Sequence, residues 1–180
     1  MSGAPEFSRA VRIDTLGAAP RQMSIDANRE ERDALARRFG IVEIKRLSAE
    51  AAVSRNGDHV VATGTLSANV AQSCVATSEP VEETVEEAFR IEFRPQPART
   101  SEEDEIELSE GELDVVFYDG SAIDLGEAVA ETLSLSLDPY PRAPDAETLL
   151  REAGVKGEDE AGPFGALAAL RDKLSGPSRE

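Results

Sequence analysis

The feature of this sequence that most restricts its fold is the alternation of apolar and polar residues from Val60 to Val75. A period of two is that of a β-strand with one face buried, so this stretch predicts a long strand. Typical strands have about 5–6 residues, and Gly64 is therefore predicted to allow a β-bulge. The apolar face reads Val60, Ala62, Gly64, Leu66, Ala68, Val70, Gln72 and Cys74.

Strand signals around this stretch predict a three-stranded antiparallel meander. Asn56-Gly57 is a typical two-residue hairpin turn, because both central positions of such a turn need positive φ. Beyond the turn-like sequence TSEP, alternation resumes from Val85 to Phe93. Shorter extended segments are predicted at 7–13, 40–47 and 112–118.

Three segments have the period of amphipathic helices. The first, 26–39, has Asp26 or Asn28 as its N-cap, Glu31 in the position of a capping box, and Gly40 as its stop. The second, 124–137, has Ser121 or Asp124 as its cap and is ended by Pro139, although the alternation of LSLSL leaves a strand open. The third, 163–174, presents Phe164, Leu167, Leu170 and Leu174 at helical spacing.

These elements predict an α+β fold, with a curved antiparallel sheet (a barrel-like meander) and two or three peripheral helices. Residues 1–145 are expected to form a single domain that includes a mobile acidic loop at about 95–111. Residues 146–162, rich in Pro, Gly and acids, are expected to be a flexible linker to the C-terminal helix at 163–174.

The residues that most catalytic and metal sites require are scarce. The chain has one cysteine, Cys74, and one histidine, His59, which lie fifteen positions apart on one predicted strand, roughly 50 Å when extended. Zinc needs about four nitrogen or sulfur ligands, and no nucleotide-binding or zincin motif is present. We therefore expect no enzyme activity, no cofactor and no metal. Cys74, Gly64 and Pro139 are interpreted as structural residues.

Charge is distributed unevenly. Residues 1–72 hold ten basic and nine acidic side chains, whereas residues 73–180 hold nine basic and twenty-seven acidic ones. An acidic surface repels phosphate backbones and attracts basic partners, but it also serves solubility alone. No apolar run approaches the roughly 18 residues of a membrane helix, and no secretory signal is evident. With a single cysteine, these features favour a cytoplasmic protein without membrane or small-molecule partners.

The order of several short motifs resembles the YceD family, the large ribosomal RNA subunit accumulation proteins, in their alphaproteobacterial form. A strand ends at Cys74, Glu79-Pro80 forms a turn, and an acidic strand and loop follow. The motifs IDLGE at 123–127, LDPYP at 137–141 and PFGALAAL at 163–170 come next. The resemblance covers about 60–174 and implies a non-enzymatic role in large-subunit biogenesis, in support of 23S ribosomal RNA. Relatives often carry Cys-x-x-Cys where this chain has Cys74 and Thr77, so Cys74 is interpreted as a packing residue.

Two mechanisms follow from the charge pattern. As an escort, the chain binds a basic large-subunit ribosomal protein. The resemblance to the YceD family implies such a partner, because the gene of a family member often lies beside that of a small basic large-subunit ribosomal protein. The acidic and helical residues proposed for this surface are Asp124, Leu125, Glu127, Glu131, Tyr140, Phe164 and Leu167. In direct contact with ribosomal RNA, the candidate residues are Arg29, Arg32, Arg37, Arg38, Lys45, Arg46 and Arg55. No aromatic side chain is interleaved among them for base stacking, so the escort is preferred.

Both residue sets also have plainer interpretations. The basic set is compatible with a solvated mixed-charge helix, and 124–137 with a core helix whose polar face is solvated. The helix at 163–174 is free to dock on a partner or on its own domain. An unrelated alternative for the whole chain is an acidic mimic of nucleic acid that inhibits a nucleic-acid enzyme.

Overall fold

Seven strands and three helices form within residues 5–96 and 114–155, the part of the chain that the computed structural model describes. This mixture confirms the predicted α+β class. The predicted helix at 163–174 and nearly all of the predicted acidic loop lie outside the described residues. The strands are β1 (Ala10–Arg12), β2 (Arg21–Asp26), β3 (Glu43–Asn56), β4 (His59–Ser73), β5 (Pro80–Pro95), β6 (Val115–Tyr118) and β7 (Ala122–Asp124); the helices are α1 (Arg29–Phe39), α2 (Leu125–Ser136) and α3 (Ala146–Glu152).

The chain forms two compact units. The first comprises residues 1–72 and 82–139 and holds the two sheets with α1 and α2; the second comprises 73–81 and 140–180 and holds α3. Helix α3 occupies the first part of the segment predicted as a linker, 146–162. A helix of seven residues is too short for its periodicity to be recognised, and its N-cap Asp145 makes no side-chain cap bond.

The main sheet has five strands in the order β2-β3-β4-β5-β6. Strand β3 pairs antiparallel with β4, and β4 lies beside β5, the order expected for the meander. Strand β2, which the sequence did not predict, pairs antiparallel with the other edge of β3. Strand β6 differs from the prediction because it pairs parallel to β5, with Phe93 opposite Val116. With β2 and β6 as its two edges, the sheet is open and is not closed into a barrel.

Two local predictions along β3 and β4 need correction. The hairpin pairs Asn56 with His59, so its turn residues are Gly57 and Asp58, and of these only Gly57 has positive φ. That pattern belongs to a turn with glycine in its first central position. In the ladder with β3 no register shift occurs at Gly64; the shift in that ladder is on β3, between Ile44 and Arg46.

Gly64 is required for a different reason. It lies opposite Ala51 in an uninterrupted part of the ladder, and a Cβ at this position would be 2.1 Å from the backbone oxygen of Glu50 and 2.9 Å from Cζ of Phe89. Glycine therefore permits β4, β3 and the Phe89 ring to approach closely. The predicted apolar face of β4 is buried, with Val60, Ala62, Leu66, Ala68 and Val70 in the core.

The helices begin where their capping residues predict. Asn28 and Glu31 form both hydrogen bonds of a capping box on α1, and Gly40 ends that helix in the left-handed conformation. Asp124 caps α2, which confirms the helix rather than the alternative strand. Helix α1 packs on β3, and α2 packs against β1. Strand β1 itself pairs with β7, which immediately precedes α2, with Val11 opposite Ile123.

Candidate partner-binding surface

The start of α2 is held by the N-terminal segment of the chain. The Asp124 carboxylate accepts hydrogen bonds from Ser8 Oγ at 2.5 Å, from the backbone N–H of Arg9 at 2.8 Å and from the backbone N–H of Glu127 at 3.1 Å. Leu125 is completely buried. Both residues were predicted to bind a partner, but in this position they serve the fold: Asp124 as a cap and Leu125 in the core.

Arg38 connects α1 to α2. Its guanidinium donates to both carboxylate oxygens of Glu127, at 2.7 and 3.0 Å, and to Glu6 at 3.0 Å. The bond to Glu127 is the main cause of a pKa for Arg38 that lies above its usual value. The Arg38 side chain is 34% exposed and that of Glu127 24%. Arg38, a candidate RNA contact, and Glu127, a candidate partner contact, thus bind one another.

Three of the other six candidate RNA contacts are also engaged within the fold. Arg32 donates to the carbonyl oxygens of Ala27 at 2.6 Å and of Ile44 at 3.2 Å, which ties α1 to the sheet. Lys45 pairs with Glu82, and Arg55 donates to the carbonyl oxygen of Gly57 at 2.7 Å.

Three of the candidate cations are more exposed. Arg29 is nearly fully exposed and lies 3.8 Å from Asp33, one helical turn away. Arg37 and Arg46 are exposed too, and no ion pair involves either of them within the described residues. Arg37 is in the last turn of α1, whereas Arg46 is on β3, so the free charge of the predicted RNA surface is sparse.

The outward side of α2 presents acidic and apolar groups together. Glu131 is exposed, and Leu135, one turn further, is 83% exposed. On the side towards α1, Glu131 and Leu135 line an open cavity of about 470 Å³ with Phe39 and Arg38. Glu131 forms no ion pair with any described residue. We call the residues Glu127, Glu131 and Leu135 the α2 surface.

A second cavity, of about 270 Å³, lies nearer the N-terminal end of α2, between this helix and β6. We call it the α2–β6 groove. Its lining includes Phe93 and Ala128, which are buried, and Val116 and Phe117 of β6. Asp119 and Glu131 contribute exposed carboxylates to the same lining. Glu131 therefore belongs to both cavities.

Strand β5 presents a row of acids. Glu82, Glu86 and Glu87 are exposed. Glu92 is different, because its carboxylate binds Arg94 at 3.1 Å and His59 at 2.6 Å. These two hydrogen bonds, that of Arg94 first, lower the pKa of Glu92 to about 2. His59 is the first residue of β4.

Cys74 follows β4 directly and is buried, as its packing interpretation requires. Its sulfur accepts a hydrogen bond from the backbone N–H of Ala143 at 3.3 Å. This bond, together with the hydroxyl of Thr77, lowers the pKa of the Cys74 thiol to about 7. In the described part of the chain no group of three or more His, Cys, Asp or Glu side chains is arranged to hold a metal ion.

The remaining predicted residues are more dispersed. Tyr140 is exposed in the second unit, and Pro139 follows α2, which ends at Ser136. Phe164 and Leu167 lie outside the described residues. No helix within 5–96 and 114–155 is long and apolar enough to cross a membrane.

Sequence reasoning missed two features of this region. Arg9 donates to both oxygens of Glu31, at 2.7 and 2.9 Å, although 22 positions separate them. Phe117 lies on the edge strand of the sheet, where its ring is exposed. The alternation of the short strand gave the only signal for Phe117, and no local pattern indicates the Arg9–Glu31 pair.

Comparison with known proteins identifies the family. No curated protein and no solved structure matches this chain significantly. The family model described as large ribosomal RNA subunit accumulation protein YceD matches residues 62–171, more than half of the sequence. The match includes most of β4, all of β5 and the whole α2 surface. This chain therefore belongs to the YceD family of large ribosomal RNA subunit accumulation proteins.

Proposed function

We propose that this protein supports accumulation of large-subunit ribosomal RNA as a non-enzymatic, cytoplasmic escort for a basic large-subunit ribosomal protein. The family's description gives the role in ribosomal RNA accumulation. The choice of an escort rests on which basic and acidic side chains are already bound within the described residues and which are left for a partner.

The observation that carries the proposal is an asymmetry between the cations and the acids. Among the cations considered for RNA contact, Arg32, Arg38 and Lys45 are bound to oxygens of the same chain. By contrast, the exposed acids Glu86 and Glu131 form no ion pair with any described residue. The charge left for a partner is therefore mainly negative.

The acidic field is large enough to select basic partners. Residues 79–131 contain eighteen acids and three arginines. Such a field accelerates encounters with Lys- and Arg-rich proteins and weakens non-specific RNA binding, in both cases more strongly at low salt. An escorted ribosomal protein is kept from non-specific RNA until assembly. Without it, the ribosomal RNA would remain incompletely assembled and be degraded.

Two matched charge-reversal variants test this proposal. Glu86→Lys with Glu87→Lys reverses two exposed acids, and Arg37→Glu with Arg46→Glu reverses two exposed cations. Each tagged full-length protein is purified from cells under native conditions, and bound ribosomal proteins are identified by mass spectrometry. In parallel, RNA crosslinked by ultraviolet light is sequenced after denaturing purification.

The escort predicts that one basic large-subunit protein co-purifies with the unmodified chain and is depleted by the acid reversal but not by the cation reversal. Enrichment of one region of large-subunit ribosomal RNA, lost on the cation reversal, would instead establish direct RNA contact. Binding to a single nuclease or polymerase, with unchanged ribosome profiles on deletion, would favour an inhibitor that mimics nucleic acid. Either of these results would overturn the proposal.

A further inference from the structure

The cavity between α1 and α2 has exposed apolar surface at its rim. Leu135, at 83%, is the most exposed of the large apolar side chains in the described residues. It lines this open cavity of about 470 Å³, which we call the α1–α2 cavity, with Arg38, Phe39, Glu131 and Ser134. A single exposed leucine is ordinary, but the ring of Phe39, which is only partly buried, lines the same cavity. Two apolar groups are therefore available to a partner.

The core of the fold does not use Leu135. Helix α2 buries Val129 and Leu133 on its inner side. Leu135 instead follows Glu127 and Glu131 at intervals of four residues, in the row of side chains that α2 turns outwards. Packing within the described residues therefore does not account for an apolar side chain at this position.

The uncompensated charge of the α1–α2 cavity is negative. Arg38 is the only basic residue that lines it, and the guanidinium of Arg38 is bound by the carboxylates of Glu127 and Glu6. Glu131 is exposed and forms no ion pair with any described residue. The cavity thus combines apolar surface with one carboxylate that is free to bind a cation.

These properties select the kind of occupant. A phosphate or a nucleic acid would be repelled by Glu131, and a second copy of the chain carries the same net charge of −17. Side chains four residues apart on a helix, as Glu131 and Leu135 are, lie about 5–6 Å from one another. A partner helix with an apolar residue and a lysine or arginine one turn apart matches that spacing and that charge.

We propose that the α1–α2 cavity binds an amphipathic basic helix of a protein partner, with an apolar side chain between Leu135 and Phe39 and a lysine or arginine at Glu131. This inference rests on the proposed function, because a basic ribosomal protein would present that helix. It assigns the anchoring contact to the α1–α2 cavity rather than to the acids of β5.

The test uses the full-length chain, labelled with ¹⁵N, and two peptides. The leucine peptide is a short amphipathic helix of leucine and lysine, and the alanine peptide has the same lysines but alanine in place of each leucine. The leucine peptide is expected to shift the amide signals of residues 38–39 and 131–135 to saturation, and the alanine peptide is not. Leu135→Ser should weaken binding of the leucine peptide about tenfold, the effect of burying most of one leucine side chain. Glu131→Gln should weaken it about two- to fivefold, the range of an exposed ion pair.

Val75→Ser and Glu50→Gln are the matched controls, because Val75 is an exposed apolar residue and Glu50 an exposed acid, and neither lines the cavity. Amide spectra that are unchanged away from the substituted residue show that each variant is folded. Equal affinity for the alanine peptide, non-saturating shifts spread over all acidic regions, or equal weakening by the control variants would overturn the proposal.

The same variants then separate this inference from the escort proposal. If a basic ribosomal protein binds and neither Leu135→Ser nor Glu131→Gln changes its affinity, the cavity assignment fails and the escort stands. If no ribosomal protein binds the unmodified chain while the leucine peptide saturates the cavity and Leu135→Ser weakens it, the escort fails and the cavity stands as a site for another basic partner.

Discussion

Replacement of Gly126 by alanine has two opposite effects on stability: it raises the helix propensity of α2, and it introduces a steric clash. Gly126 lies in the first turn of α2, where alanine would raise helix propensity by up to about 1 kcal/mol. A Cβ at this position, however, would lie 2.5 Å from the carbonyl oxygen of Phe7 and 2.9 Å from the backbone nitrogen of Arg9. Both are backbone atoms, so no side-chain rotation can relieve the contact.

The clash can be relieved only if the segment around Phe7 and Arg9 moves away from α2. That segment is held by the bond from the backbone N–H of Leu125 to the carbonyl oxygen of Arg9, at 3.1 Å, and by the bond from Arg9 to Asp124. Overpacking of this kind typically costs about 1–3 kcal/mol. We therefore expect Gly126→Ala to lower the free energy of unfolding by about 1–2 kcal/mol, which is the overpacking cost less the gain in propensity.

Urea denaturation of the full-length chain, followed by circular dichroism, measures this change as a lower midpoint at constant slope. Gly17→Ala is the control, because Gly17 is exposed and a Cβ there would meet no atom within 4 Å. We expect the control to change the free energy of unfolding by less than about 0.5 kcal/mol. A Gly126→Ala protein more stable than the unmodified chain would refute the close approach of the N-terminal segment to α2.

Three further predictions concern the ion pairs and the thiol. A double-mutant cycle of Arg38→Ala and Glu127→Gln, measured by urea denaturation, should give a coupling free energy of about 0.5–1 kcal/mol, because both side chains are partly exposed and screened by solvent. A coupling free energy near zero would contradict the pair of hydrogen bonds between them. The pKa of the Cys74 thiol, about 7, is below its value in the unfolded chain. The stabilisation from the thiolate is therefore absent below pH 7 and grows as the pH rises towards 9. The urea midpoints of the unmodified chain and of Cys74→Ala should diverge between pH 7 and 9, and parallel curves over that range would refute the lowered pKa. The pKa of Glu92 is lowered to about 2, mainly by its hydrogen bond with Arg94. The stabilisation from the ionised carboxylate is therefore present above about pH 4.5 and is lost as the pH falls towards 2. NMR titration of the carboxyl carbon, assigned by comparison with Glu92→Gln, checks this, and a midpoint near 4.5 would contradict the hydrogen bonds to Arg94 and His59.

Part of the candidate partner surface was accessible to sequence reasoning. Glu127 and Glu131 were predicted because a helix with an apolar face must expose its other face. Leu125 belongs to the apolar face of the same helix, yet it is also among the residues predicted to contact a partner. The structure assigns Leu125 to the core because α2 packs against β1. The groove beside Glu131 was not predicted, since its other wall is a strand that pairs with β5.

The sequence by itself determined the elements whose signals are local. The period of two along β4, the capping box of Asn28 and Glu31, and the cap of α2 at Asp124 depend on residues a few positions apart. The tertiary structure decided the parallel pairing of β6 with β5, the pairing of β1 with β7, and the partner of each charge. Arg38 and Glu127 lie 89 positions apart, and nothing in either residue's surroundings in the sequence specifies the other. Their pairing depends on the distance between two helices, which is fixed only when the core is packed.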